Sequence, residues 1–238
     1  MRILAIIPAY NEEKNIEGVI NDVKKEEPGI DVLVIDDGSV DQTALLAGKT
    51  KKATVVSLPY NLGIGGAVQT GFKYAESYGY DIVIKVDGDG QHKAEEIKKI
   101  LQPVLGGQAD VAIGSRFLRG NKSYPIFVRR IGQQVISFLT SLVVGQKITD
   151  ATSGFRCYSK LAVLWLNRYY PADYPEPEEI IFLKKNKFRI KEVWVVMRNR
   201  LGGSSSLTTL KSFYFMIKVT LSILINFLRT PVIKKDVQ

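Results

Sequence analysis

The chain has 238 residues, 45% of them hydrophobic, which suits one α/β domain with an appendage or at most two small domains. Lysine and arginine outnumber aspartate and glutamate by 33 to 24, a formal charge of +9, so the expected partner is anionic: nucleic acid, an acidic lipid surface or a phosphorylated substrate. The single cysteine, Cys157, excludes an internal disulfide and a cysteine-based zinc site and is compatible with a reducing cytosol.

Met1-Arg2 runs directly into Ile3-Leu4-Ala5-Ile6-Ile7-Pro8, too short an apolar run for a secretory leader and better read as a first buried strand. No stretch supplies eighteen uncharged apolar residues, so no conventional membrane span is expected. Strand-like runs near 3–7, 31–35, 53–57, 81–86 and 110–114 alternate with helical runs near 12–26, 41–49, 64–78 and 93–104. That alternation predicts a mainly parallel sheet with helices on both faces, in which ligands bind beyond the carboxyl ends of the strands. Polar clusters stand at those ends: Pro8-Ala9-Tyr10-Asn11-Glu12 after the first strand, Asp36-Asp37-Gly38-Ser39 after the second, and Asp87-Gly88-Asp89 after the fourth.

Within the second cluster, Ser39 or Asp41 can cap the next helix and Gly38 can serve a turn, but capping does not require two consecutive aspartates. Asn61-Leu62-Gly63-Ile64-Gly65-Gly66-Ala67 gives the following helix a glycine-rich opening that exposes backbone N–H groups to a ligand. It lacks the Lys-Ser/Thr of a P-loop. In Asp87-Gly88-Asp89-Gly90-Gln91, the two carboxylates and the Gln91 carbonyl can converge on one hard cation, Mg²⁺ or Mn²⁺, that keeps positions open for phosphate oxygens. An acidic turn is the plainer alternative.

Gly114-Ser115-Arg116-Phe117 ends the fifth strand, and a basic loop with Arg119 and Lys122 leads to an apolar helical stretch from Ile126 to Gly145. Arg129 and Arg130 lie near its start. The stretch is either a core helix with two solvated arginines or a membrane-surface helix whose arginines grip an acceptor phosphate. Tyr174-Pro175-Glu176-Pro177-Glu178-Glu179 precedes a short helix, and Arg189 to Val196 reads as a strand. Arg198 to Ser206 is a Gly/Ser loop with two arginines, either a linker or a lid that closes on phosphate. From Leu207 to Arg229, Lys211, Lys218, Ser222, Asn226 and Arg229 share about one quarter of the helical wheel. A wide apolar arc with a narrow basic stripe fits a helix lying in the bilayer interface. Spanning is disfavoured, because Lys218 near the hydrocarbon centre would cost about 2.5–3.5 kcal/mol. Packing against the domain or in an oligomer is the alternative. Lys234 and Lys235 add attraction to anionic lipid.

Taken in order, IIPAYNEEKNI, VIDDGSVDQT, NLGIGGAVQTGFKYA, KVDGDGQH, GSRF and TDATSGFRCYSK resemble family 2 glycosyltransferases of GT-A fold, over residues 3–205. Within the family the closest likeness is to the dolichyl/polyprenyl-phosphate sugar transferases. The resemblance implies an α/β, Rossmann-like domain over 1–205, with a nucleotide-sugar half at 1–114 and an acceptor half at 115–205. A C-terminal amphipathic interfacial helix and basic tail would occupy 206–238. Pro8, Tyr10, Glu12 and Asp37 would line the nucleoside pocket with Asp36 nearby, and Gly65 and Arg116 would also face the nucleotide sugar. Asp87, Asp89 and Gln91 would hold Mg²⁺ or Mn²⁺ and through it the diphosphate. Arg129, Arg130, Ser153, Arg198 and Ser205 would meet the acceptor.

In the family a glutamate stands fourteen residues before the Glu-Val of the next strand, and Glu178 stands fourteen before Glu192. Arg200 and Gly203 match the family's Arg-x-x-Gly-x-Ser loop, so Asp89, Glu178 and Arg200 are the catalytic candidates. His92 is read as a helix-start residue or a contact behind the site. The implied activity is inverting transfer of one sugar from a UDP- or GDP-linked donor to a polyprenyl phosphate, peripherally at the cytoplasmic membrane face. A small membrane-protein partner or a homo-oligomer is compatible with this; a nucleic-acid partner is not expected, for want of an aromatic-basic module. The alternative is transfer to a hydroxyl of a lipid-linked saccharide or surface polysaccharide, for which Glu178 would take the proton.

Overall fold

A computed structural model describes residues 1–118, 127–171, 175–198, 218–222 and 225. The first half alternates as its periodicity predicts: β1 (Ile3–Ala9), α1 (Ile16–Glu26), β2 (Asp31–Asp36), α2 (Thr43–Lys49), β3 (Thr54–Ser57), α3 (Gly63–Ser77) and β4 (Ile82–Lys85). A short 3₁₀ turn then leads into α4 (Ile97–Leu105) and β5 (Val111–Ser115). The second half adds α5 (Phe127–Val144), β6 (Arg156–Ser159), α6 (Lys160–Tyr169), α7 (Pro175–Lys185) and β7 (Ile190–Trp194).

One seven-stranded sheet runs β3-β2-β1-β4-β6-β5-β7. All its pairings are parallel except those of β6, which lies antiparallel between β4 and β5. The apolar strands alternate between two cores, as period-two side chains must. Leu4, Ile6, Leu33, Ile35 and Val83 face α3, α5, α6 and α7. Ala5, Ile7, Val32, Val34, Ile82 and Ile84 face α1, α2 and α4. Each fully buried aliphatic chain contributes about 1.5–3 kcal/mol relative to exposure, so helices on both faces are what a two-sided apolar sheet requires.

Two elements, β6 and α6, correct the sequence-based element map, which assigned no strand or helix between the 126–145 stretch and Tyr174. Ser159 caps α6 by accepting from the Ala162 N–H. Val219 is fully buried in the core that α7 also serves. At that point the 206–238 segment is therefore part of the domain body, as the alternative reading of it allowed. Its neighbours Leu221 and Ile225 remain exposed.

Candidate functional site

The carboxyl ends of β1, β2 and β4 and the opening of α3 enclose a cleft of about 570 Å³. Six of the expected residues line it: Pro8, Tyr10, Glu12, Asp37, Asp87 and Asp89. Its walls are fixed by bonds between the loops that follow β1 and β2. The Asn11 N–H donates to Ser39 Oγ (2.9 Å), the Val40 N–H to Asn11 Oδ1 (3.0 Å), and the Glu12 N–H to Thr43 Oγ1 (2.8 Å). Gly38 holds φ +68°, and a Cβ there would stand 2.7 Å from the Tyr60 carbonyl carbon, so the turn admits only glycine. Asp37 accepts from the Leu62 N–H at 2.7 Å, joining β2 to the α3 opening. Burial pushes its carboxyl upward against that bond and the one from Gly63.

Asp87 follows β4 by two residues. Burial pushes its pKa up, but His92, Lys85, Arg116 and Arg156 around it outweigh that and hold it below the usual carboxylate value. The His92 side chain is 3% exposed and stacks on Phe155. Burial lowers its pKa against the pull of the Asp87 charge. Its Nδ1 accepts from the Asp87 N–H (3.0 Å), which puts the ring proton on Nε2, 3.4 Å from Asp87 Oδ2. The only histidine thus orients the aspartate from behind. Gly154 closes the other side, where a Cβ would lie 2.8 Å from Asp87 Oδ2.

Behind Asp87 lies a set of charges that sequence reasoning missed. Lys85 Nζ donates to Glu176 Oε1 at 2.8 Å, its side chain 2% exposed. Arg156, opposite Lys85 on β6, meets Glu179 at 2.9 Å with both side chains 1% exposed. Burial lowers the Lys85 pKa, but Glu176 and Asp87 more than restore it. The signal available in the sequence was period: Lys85 and Asp87 stand two apart at the end of β4, the spacing of same-side residues on a strand, while Asp89 lies in the turn beyond.

Several expectations place differently. Asp36 is 4% exposed and accepts from the Ser39 N–H, supporting the turn outside the cleft lining. Gly65 is buried inside α3, while Gly63 and Ile64 reach the cleft. The Gln91 carbonyl accepts from the Arg198 N–H (2.9 Å), and the Gln91 N–H donates to Asp89 Oδ1 (3.0 Å). Arg116 forks onto Asp150 (2.6 and 2.7 Å), and Arg198 reaches Asp22 (2.9 Å). The Ser153 hydroxyl is buried and donates to the Gly114 carbonyl. Glu178 accepts from the Ser222 hydroxyl, on the opposite side of α7 from Lys85's partner. Arg130 is half-buried at the start of α5. Arg119, Lys122, Arg200, Gly203, Ser205 and the Arg129 side chain lie outside the described residues.

Asp87 and Asp89 form a donor set of hard oxygens at one strand end. Among the described residues no group of three His, Cys, Asp or Glu side chains converges for a metal. Such a site suits Mg²⁺ or Mn²⁺, which takes one or two carboxylates and completes its shell with phosphate oxygens and water. The residues present fit that ion.

The family model for glycosyl transferase family 2 matches residues 4–164. A UDP-N-acetylglucosamine–dolichyl-phosphate N-acetylglucosaminyltransferase of Methanococcus voltae is 34% identical over 80% of this chain and 83% of its own. A polyprenol monophosphomannose synthase of Mycolicibacterium smegmatis is 34% identical over 67% of this chain and 62% of its own. Glucosyl-3-phosphoglycerate synthase of Mycobacterium tuberculosis, crystallised with Mn²⁺, UDP and glucosyl-3-phosphoglycerate, superposes with a TM-score of 0.70 over 97% of this chain and 81% of its own, at 21% identity.

Proposed function

The chain belongs to glycosyl transferase family 2, and from that premise we propose that it moves one sugar from a nucleotide sugar to a polyprenyl phosphate at the cytoplasmic face of a membrane. The observation that carries the reading is the single cleft that gathers Pro8, Tyr10 and Asp37 beside Asp87 and Asp89. An aromatic ring and a carboxylate suit a nucleoside, and the aspartate pair suits a cation on a diphosphate. Two relatives, one named for transfer to dolichyl phosphate and one for synthesis of polyprenol monophosphomannose, support the acceptor class. A UDP-linked donor is the first to test, since the Methanococcus relative is named for one.

Asp87 and Asp89 would hold Mg²⁺ or Mn²⁺, which when bound neutralises charge on the leaving diphosphate. This chain's own residues do the rest. Tyr10 and Asp37 orient the nucleoside, His92 and Gly154 fix the direction of the Asp87 carboxylate, and the zipped β1 and β2 loops keep the pocket preformed. A phosphate acceptor arrives ionised, so no strong general base is needed; Glu178, engaged by Ser222, is not called upon to move a proton.

Membrane contact is supported by α5. Ile131, Val135, Phe138 and Leu142 recur at helical spacing and are 46%, 41%, 67% and 71% exposed. An apolar stripe of this kind on a chain of charge +9 suits an anionic lipid surface. No described helix is long and apolar enough to cross a membrane. Phe138→Asp with Leu142→Asp is expected to weaken co-sedimentation with anionic vesicles by at least about tenfold, since each buried side chain contributes about 1.5–3 kcal/mol. An unchanged melting temperature should accompany it. Undiminished vesicle binding would remove α5 from the membrane reading.

The reading as a whole is tested by incubating the chain with labelled UDP- and GDP-sugars, undecaprenyl phosphate and membranes, with and without Mn²⁺. Metal-dependent label in a mild-acid-labile lipid is expected. Donor hydrolysis without lipid label would point instead to a hydroxyl acceptor.

A further inference from the structure

We propose that Glu176 is a positioning residue for the metal-binding carboxylate: by holding the Lys85 ammonium, it keeps that cation off Asp87. The inference rests on the metal reading of Asp87 and Asp89 and extends it to two residues that do not line the cleft.

A buried ammonium carries three donors and cannot be left without an anion. Lys85 is 1% exposed, and among the described residues its hydrogen bond goes to Glu176 Oε1 at 2.8 Å. Glu176 acts most strongly on its charge, Asp87 next, and Glu179 also feels it. Arg156 stands directly opposite Lys85 in the antiparallel ladder, a like-charge pairing that is unfavourable by itself. Its own counter-ion is Glu179, so α7 supplies one carboxylate to each cation. Pro175 and Pro177, each with its own φ fixed by the ring, flank Glu176 in the first turn of α7.

With Glu179 held by Arg156, neutralising Glu176 leaves Asp87 as the strongest remaining anion for Lys85. The ammonium then competes with the divalent cation for the same oxygen lone pairs, and metal binding weakens although neither metal ligand has changed. Removing the ammonium as well ends the competition. A residue that matters only for folding has no such rescue.

The test is calorimetric titration of Mn²⁺ into the full chain with saturating UDP, alongside thermal melting. Glu176→Gln is expected to weaken Mn²⁺ binding by about tenfold, the low end of what loss of a group behind a metal ligand costs. Lys85→Met combined with Glu176→Gln should return the affinity to that of the unmodified chain. Should Glu176→Gln not fold, Glu176→Asp, which keeps the charge but withdraws it by one methylene, should show the same loss at smaller amplitude. Unchanged affinity in the single variants, or a double variant as weak as Glu176→Gln, overturns the proposal. If the unmodified chain with UDP binds no Mn²⁺, the metal reading itself fails, and this inference with it.

Discussion

Replacing Asp87 with alanine is expected to lower sugar transfer by at least about 10²–10³-fold, the usual effect of losing one preorganised electrostatic group at a reacting centre. The chain should melt within a few degrees of the unmodified protein. Both halves follow from the surroundings of Asp87. Its side chain is 32% exposed toward the cleft, so alanine leaves no sealed cavity. Lys85 keeps Glu176, Arg116 keeps Asp150 and Arg156 keeps Glu179, so no buried cation is stranded. What disappears is one of two carboxylates facing the proposed diphosphate. Asp87→Asn preserves shape and removes only charge, and should fall nearly as far. Asp89→Ala should resemble Asp87→Ala. Initial rates of lipid labelling across a Mn²⁺ series, read beside thermal melts, give the answer. Activity within tenfold of the unmodified chain at saturating metal would discard the metal assignment.

The half of the fold that builds the cleft was legible because its signals are local. Each strand from β1 to β5 is an apolar run closed by turn residues, and each polar cluster at a strand end reached the place such sheets reserve for ligands. Pro8, Tyr10, Glu12, Asp37, Asp87 and Asp89 were legible for that reason. β6 was not. It has four residues and begins with an arginine that reads as solvent-facing, and the burial of Arg156 depends on Glu179, twenty-three residues further on.

The same non-locality hid the partners of the basic candidates. Arg116 and Arg198 look like phosphate ligands in sequence, but their partners Asp150 and Asp22 lie 34 and 176 residues away. Glu178 was chosen by its distance to Glu192, which fixes position along α7 but not rotation about it. Two residues turn a helix by about 200°. The carboxylate on the Asp87 side is accordingly Glu176, while Glu178 meets Ser222.

Glu179→Ala is expected to destabilise the fold by about 3–5 kcal/mol, the usual result of breaking a buried ion pair from one side. Arg156 donates through Nε to the Ser153 carbonyl and through Nη2 to those of Ala151 and Glu176. Its Nη1 meets Glu179 Oε1 at 2.9 Å, a charge contact without hydrogen-bond alignment. Burial would lower the arginine pKa, but the Glu179 charge more than offsets it, and a guanidinium cannot shed its proton to escape an apolar site. Alanine therefore leaves a full charge in the core, and for a chain of this size the melting temperature should drop by about 10 °C. A drop under about 3 °C would show that water or another group reaches Arg156. Arg156→Met with Glu179→Met removes both charges and should restore the melting temperature or raise it, since apolar replacement of a buried pair is often neutral or stabilising. That double variant also separates stability from function. Arg156 braces the Ala151 and Ser153 carbonyls in the loop that carries Gly154 against Asp87. If the double variant melts normally but transfers slowly, the pair is retained for the shape of that loop rather than for stability; if it transfers normally, packing alone sets the loop.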